Sequence, residues 1–135
     1  MTSKAEYIGN LRVKNTHLKS GNSYITDAPT DNHGKGEAFS PTDTVATALG
    51  NCILTTMGIK AEQANLNLKG AYAEITKIMA SNPRRIAEIL IDVYFPENYA
   101  EKHKKILEHT ARHCPVLQSL HPNMKKEINF YYEAN

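Results

Sequence analysis

The longest stretch of small and apolar residues is segment 40–64, which reads SPTDTVATALGNCILTTMGIKAEQA. At its start, Ser40 can cap a helix N-terminus, Pro41 suits the first helical position, and Asp43 completes a pattern similar to the capping box. No charged residue lies between Asp43 and Lys60. A helix that is apolar on all sides is normally buried, so this pattern predicts a buried central helix.

One of the two cysteines lies inside this helix. Cys52 falls at helical spacing with apolar positions, which predicts that its thiol shares a face with core residues. The residues on that face are Val45, Leu49, Cys52, Thr56 and Ile59. Five short strands would not cover a helix that is apolar on every side. A second subunit is the simplest cover, so the sequence predicts a homodimer.

The segment before the helix is predicted to form a hairpin followed by a loop. Residues 1–4 are expected to be frayed, and residues 7–17 alternate in part, which predicts a strand. The turn residues Ser-Gly-Asn-Ser at 20–23 separate this strand from a second one at 24–26. Residues 27–39 form a polar loop that leads into the central helix.

The segment after the helix is predicted to contain two strands, two helices and a last strand. The strand candidates are residues 70–80 and 87–95, and the second alternates clearly. Its apolar face consists of Ile89, Ile91, Val93 and Phe95. Residues 97–113 carry a helical stripe, and a proline after Cys114 places that cysteine at the N-cap of a new helix. Residues 126–132 form the closing strand.

The element order is therefore ββ-α-ββ-αα-β. Hairpins that precede helices favour an α+β fold, with a largely antiparallel sheet packed against the central helix. A chain of 135 residues is typical of one domain, so we predict a single domain over residues 1–135.

Composition narrows the function classes. The net charge is only +2 and the basic residues are dispersed, whereas a nucleic-acid-binding protein needs a basic face. The central helix is too short and too rich in threonine to suggest a membrane span, and the start of the chain does not resemble a secretory signal. Two cysteines in such a chain indicate a reducing compartment, which we take to be the cytoplasm.

The thiolate is the reactive form of cysteine, and a free cysteine has a pKa of about 8.5. Cys52 lies roughly three turns into its helix, where the helix dipole has faded, so only a cation from elsewhere in the fold could support its thiolate. Cys114 is better placed by local physics, because it precedes a predicted helix and has Arg112 and His113 beside it. Local reasoning therefore makes Cys114 the more acidic thiol. Either cysteine could instead be a small core residue.

Two further sets of residues have competing interpretations. His109, His113 and Cys114 form an H-x-x-x-H-C pattern that could supply three zinc ligands, although histidines on amphipathic helices are common. Asp43 is most simply a helix-capping residue. Its alternative role is to orient a cation near a reactive group.

Two segments resemble the OsmC family of osmotically inducible and organic-hydroperoxide-resistance proteins. SPTDTVATALGNC, which ends at Cys52, is similar to the family's segment S/N-P-x-E/D-x-x-x-A-A-x-x-x-C on a buried helix. ARHCPVLQSLHPNMKKEINFYY places Cys114, Pro115 and Val116 at the family's second cysteine. The element order matches as well, and the chain looks closest to the branch with the Cys-Pro-Val element.

The resemblance implies an intertwined homodimer in which antiparallel sheet wraps around the long central helices, with active sites at the subunit interface. It also implies a thiol-dependent peroxidase that reduces organic hydroperoxides in the response to oxidative or osmotic stress. Cys52 would be the peroxidatic cysteine and Cys114 the resolving one. No bound cofactor or metal is implied, and an external dithiol, such as a lipoyl-bearing protein, would restore both thiols.

The resemblance also assigns supporting residues. The family takes its thiolate-stabilising arginine from the N-terminal region, where Arg12 is the arginine of this chain. The family's glutamate, ten residues before the first cysteine, is replaced by Thr42, and the acid is Asp43, one residue later. Arg12 would then stabilise the Cys52 thiolate, and Asp43 would orient Arg12.

A function from a different class fits the same residues. The chain could be a non-catalytic dimer that binds hydrophobic small molecules, with both cysteines as packing residues. The reactivity of the two thiols distinguishes this alternative from the peroxidase.

Overall fold

Residues 1–133 are described by a computed structural model, and they contain six strands, three α-helices and one 3₁₀ turn. The backbone divides into two units, residues 1–45 and the residues from 46 onward. The boundary lies near the start of the longest helix, Pro41–Gln63 (α1). The combination of separate sheets with helices confirms the α+β class.

The first unit contains an antiparallel sheet of three strands, in the order β1-β2-β3. These strands are Ser3–Gly9 (β1), Arg12–His17 (β2) and Ser23–Asp27 (β3). The sequence prediction of a single strand at 7–17 and a frayed start is wrong, because the chain reverses between β1 and β2. Asn10 and Leu11 have φ angles of 56° and 61°, as a two-residue hairpin turn requires, and the Gly-Asn pair at 9–10 was the missed turn signal.

The segment that connects β3 to α1 folds back on itself and contains the 3₁₀ turn Thr30–Asn32. The Gly34 N–H donates to the Pro29 carbonyl at 2.9 Å. A Cβ atom on Gly34 would lie 1.7 Å from the carbonyl oxygen of Ala28, so this close approach requires glycine.

The predicted capping box at the start of α1 is confirmed. The backbone N–H of Ser40 donates to Asp43 Oδ2 at 2.9 Å, and the Asp43 N–H donates to Ser40 Oγ at 3.1 Å. Each residue thus satisfies a backbone donor of the other, and the pair sets where the helix begins.

The second unit contains the greater part of α1 and a second three-stranded sheet, in the order β4-β5-β6. Its further elements are Tyr72–Ala80 (β4), Arg85–Tyr94 (β5), Glu101–Ala111 (α2), Pro115–Ser119 (α3) and Lys125–Tyr131 (β6). β4 pairs with β5 in antiparallel register, whereas β6 runs parallel to β5. The expected single, largely antiparallel sheet is therefore corrected to two sheets, of which the second is mixed. The crossover through α2 and α3 is what makes a parallel pairing possible.

The core of the second unit forms where α1, the sheet and α2 meet. The predicted inward face of β5 is confirmed, since Ile89, Ile91 and Val93 are fully buried. The α1 residues in this core are Ala46, Leu49, Ile53, Met57 and Ala61. None of the helices in residues 1–133 has both the length and the apolar character that crossing a bilayer requires.

The predicted core face of α1 is only partly correct. Leu49 is buried, but Val45 is 38% and Ile59 55% exposed. The buried stripe is rotated from the predicted one and passes through Ile53, so Cys52 lies at its edge. Within the single chain, α1 is therefore not buried on every side, and an apolar stripe of the helix faces outward.

Tyr132, which directly follows β6, attaches α2 to the second sheet. The hydroxyl of Tyr132 donates to Glu108 Oε2 at 2.8 Å, and the Lys104 ammonium lies 4.6 Å from the centre of the same ring. Burial raises the pKa of Tyr132 above its ordinary value, and the Glu108 carboxylate raises it further. The phenol therefore remains a hydrogen-bond donor at neutral pH and holds the helix that leads to Cys114.

Replacement of Ile91 by alanine should destabilise the fold, because it opens a cavity in the core of the second unit. We expect a loss of about 3 kcal/mol in the free energy of unfolding, measured by urea denaturation. Ile78→Ala is the matched control, since Ile78 is 45% exposed on β4 and should cost well under half as much. Equal losses for the two variants would contradict the position of this core.

Candidate active site

The first predicted site residue, Cys52, lies near the middle of α1. Its side chain is half-buried and packs against the core. The neighbouring Thr56 hydroxyl donates to the carbonyl oxygens of Cys52 and Ile53, at 2.9 and 3.1 Å. That hydroxyl is thus occupied by the helix backbone. Cys52 itself lies at the edge of the buried stripe, so its side chain remains partly accessible.

The second cysteine lies between α2 and α3. Cys114 is the N-cap residue of α3, as predicted, with extended backbone angles (φ −68°, ψ 149°) and Pro115 directly after it. Its side chain is fully buried in the core of the second unit. No water-accessible surface of this thiol remains in the single chain.

The fold brings the two thiols together. The side chains of Cys52 and Cys114 belong to the same core cluster, where Cys52 is close enough to raise the pKa of Cys114, and both are free thiols. This proximity could not be read from the sequence, because it results from the packing of α1 and the α2–α3 segment into one core. Two adjacent thiols can be joined by a disulfide, whose S–S bond is about 2.05 Å long.

The local expectation that Cys114 is an acidic thiol is wrong. Burial raises the pKa of Cys114 above its ordinary value, and the neighbouring Cys52 raises it further. The backbone N–H groups of Leu117 and Val116 favour the thiolate but do not offset burial. The low-dielectric surroundings therefore decide the protonation state.

The two basic neighbours of Cys114 have other partners. The Arg112 guanidinium lies 5.1 Å from the centre of the Phe130 ring. His113 Nδ1 is hydrogen-bonded to the His109 carbonyl at 2.8 Å. Proximity in the sequence was therefore a poor guide to which charges act on the thiol.

Arg12 forms ion pairs with two acids of the first unit. Its Nη2 lies 2.6 Å from Glu37 Oε2 and 3.5 Å from Asp27 Oδ2. Asp27 is almost fully buried, and its Oδ2 also accepts the Glu37 N–H at 3.1 Å. Among the residues that the structure describes, the buried Asp27 Oδ1 has no hydrogen-bond partner.

The sequence interpretation missed both acidic partners of Arg12. A signal for Asp27 was present, because Arg12 and Asp27 are opposite each other in the β2–β3 register, and the predicted turn approximately sets that register. No comparable signal existed for Glu37, which lies in the irregular connection before α1. Asp43 forms hydrogen bonds with Ser40 that give it the capping role, and its predicted role as the acid that orients Arg12 stays a prediction.

The possible zinc ligands do not form a ligand set. The rings of His109 and His113 lie 4.2 Å apart, whereas Cys114 is buried beside Cys52. Over residues 1–133, no three side chains of histidine, cysteine, aspartate or glutamate are grouped to hold a metal ion.

Comparison with solved structures gives close matches in fold. The chain is 47% identical to an osmotic stress induced and detoxification response protein from Psychrobacter arcticus, with a TM-score of 0.94 over 97% of this chain and 96% of that one. It is 13% identical to the organic hydroperoxide resistance protein OsmC from Legionella pneumophila (TM-score 0.76, 97% of each chain). It is 14% identical to an organic hydroperoxide resistance protein from Vibrio cholerae with captopril in one of its active sites (TM-score 0.75, 100% and 94% covered).

None of the proteins with curated descriptions matches the chain in sequence. The family described as OsmC-like protein matches residues 34–129. This region includes both cysteines, the capping box and all elements from α1 to the greater part of β6. The chain is a member of the OsmC-like protein family.

Proposed function

We propose that this protein is a thiol-dependent peroxidase that reduces organic hydroperoxides, with Cys52 as the attacking thiol and Cys114 as the resolving thiol. The observation that carries the proposal is the pair of neighbouring free thiols in one core, of which one is half-buried and the other fully buried. A structural role would not require two cysteines from distant segments to meet.

The roles of the two thiols follow from their surroundings. Cys52 is partly accessible, so a peroxide can approach it. Cys114 has no exposed surface, and its pKa is raised by burial. A thiol that stays protonated and shielded is a poor first nucleophile, but it can still react with an oxidised sulfur beside it.

The proposed cycle balances in three steps. The Cys52 thiolate attacks one oxygen of the peroxide, an S–O bond forms, the O–O bond breaks, and the organic fragment leaves as an alcohol after taking up a proton. The Cys114 sulfur then attacks the sulfenic acid, and the hydroxyl leaves with the Cys114 proton as water, which yields a disulfide. An external dithiol, such as a dihydrolipoyl group, reduces that disulfide by exchange and is itself oxidised to a disulfide. No bound cofactor takes part.

We assign the thiolate-stabilising role to Arg12 and the orienting role to Asp43, as the family resemblance implies. The Arg12 guanidinium is held in place by its ion pairs with Asp27 and Glu37. Its positive charge therefore has a fixed position. Asp43 is fixed in turn by its reciprocal hydrogen bonds with Ser40.

We also propose that the protein forms a homodimer. The outward stripe of α1 exposes Val45 and Ile59, and a second subunit packed against this side of the helix would bury both side chains. The names of the Legionella and Vibrio proteins agree with hydroperoxide chemistry, although at their low identity the likeness is one of fold. A cytoplasmic role in stress response fits a protein that works through two reduced thiols.

Thiol labelling should distinguish the peroxidase from a non-catalytic binder. With iodoacetamide near neutral pH, Cys52 should react quickly, whereas Cys114 should react slowly because it is buried and protonated. Labelling of Cys114 should rise only at pH values above the pKa of an ordinary cysteine, because burial raises the pKa of Cys114 in the folded state. The measurement is mass spectrometry of peptides from timed reactions. Two sluggish thiols would favour the binder.

Peroxidase activity should depend on Cys52. Wild-type protein with dihydrolipoamide should turn over cumene hydroperoxide, and Cys52→Ser should fall to the uncatalysed background. Cys114→Ser should still consume one equivalent of peroxide but should form no intramolecular disulfide. Asn51→Ser is the matched control on the same helix, since it leaves both thiols in place. Turnover that survives Cys52→Ser would exclude the proposed cycle.

The oligomeric state should depend on the outward stripe of α1. Ile59→Glu should convert the dimer to a monomer, because it places a charge in the proposed apolar interface. Ile78→Glu is the control, since Ile78 is similarly exposed but lies on β4. Analytical ultracentrifugation gives the masses. A monomeric wild-type protein, or a dimer unaffected by Ile59→Glu, would contradict this part of the proposal.

A further inference from the structure

A second candidate binding site lies between the C-terminal part of α1 and the outer side of α2. It is an open groove of about 520 Å³, lined by Lys60 from α1 and by Lys105, Ile106, His109 and Thr110 from α2. That volume lies in the range of small-molecule sites. Neither cysteine lines this groove, so it is separate from the thiol site.

The groove carries positive charge that is not neutralised by the protein. Within residues 1–133, Lys60 and Lys105 form no ion pair. Two nearby acids on α2 are engaged elsewhere, because Glu101 pairs with Lys104 at 3.4 Å and Glu108 accepts the hydroxyl of Tyr132 at 2.8 Å. Two lysines from different helices thus line one groove, and within residues 1–133 neither forms an ion pair with a carboxylate.

Helix electrostatics account for only part of this arrangement. Lys60 and His109 lie in the last turns of their helices, where a cation interacts favourably with the helix dipole. Lys105 lies in the middle of α2 and gains no such stabilisation. Two lysines from different helices at one groove nevertheless offer a place for an anionic ligand.

The remaining residues that line the groove indicate the chemical character of the organic group attached to the anion. Ile106 is 45% exposed and offers an apolar wall. The imidazole of His109 packs 4.2 Å from that of His113 and adds an aromatic surface. The Thr110 hydroxyl donates to the Ile106 carbonyl at 2.8 Å, so the donors available to a ligand are the two ammonium groups and His109.

We propose that this groove binds a phosphate monoester with an apolar or aromatic body. A phosphomonoester carries a charge of about −1.5 to −2 at neutral pH, which matches the two lysines better than a carboxylate does. Lysine pairs with phosphate as a point charge, and the organic body lies on Ile106 and His109. The proposal is independent of the thiol chemistry.

The test is a titration of the ¹⁵N-labelled full-length protein with phenyl phosphate, followed by amide chemical shifts. We expect saturable shifts at residues 105–110 and weaker binding of inorganic phosphate and of phenol. Lys60→Gln and Lys105→Gln should each weaken binding about three- to fivefold, as expected for exposed charge pairs. Lys102→Gln is the matched control, because Lys102 is exposed on α2 outside the groove, and it should leave the affinity unchanged.

Three results would overturn the proposal. The first is the absence of saturable shifts at the groove residues. The second is an equal loss of affinity in Lys102→Gln and Lys105→Gln, which would indicate a general effect of charge. The third is binding of inorganic phosphate as tight as that of phenyl phosphate, which would remove the role of the organic body. The substituted lysines are exposed, and the amide spectrum of each variant reports directly whether it is folded.

Discussion

The packing of α1 against the inner face of the second sheet is the constraint on which the site depends. Ile53 and Met57 are fully buried in one core with Ile89 and Ile91 of β5. Their burial fixes the rotation of α1 about its axis, and Cys52, one residue before Ile53, is then held at the edge of the core. The exposure of this thiol is thus a consequence of hydrophobic packing and not of any interaction made by its sulfur.

The same core determines the state of the second thiol. Cys114 begins a helix, and the N–H groups there favour a negative charge, but removal of the thiol from water outweighs them and raises its pKa. Burial therefore gives the two thiols, which are chemically identical groups, different accessibility to solution. One can meet a solute from solution, and the other can meet only its neighbour, which imposes an order on any reaction that uses both.

The sequence predicted features that depend on local physics. The capping box at Ser40 and Asp43, the inward face of β5 and the N-cap position of Cys114 all follow from short-range patterns, and all are confirmed. Features that depend on contacts between distant segments could not be predicted from the sequence. The parallel pairing of β6, the rotation of α1 and the meeting of the thiols depend on tertiary packing, which periodicity does not encode. The hairpin turn at 9–11 was a local signal that we missed.

The parallel pairing of β5 with β6 has a consequence for assembly during translation. β4 and β5 form a hairpin from adjacent segments, but β6 can join them only after α2, Cys114 and α3 have been synthesised. Tyr132, directly after β6, then fastens α2 through Glu108. Cys52 precedes Cys114 by 62 residues in a chain of 135, so the nascent chain carries Cys52 without its neighbour for nearly half of its elongation. Until Cys114 has been synthesised, an oxidised Cys52 has no neighbouring thiol with which to form a disulfide.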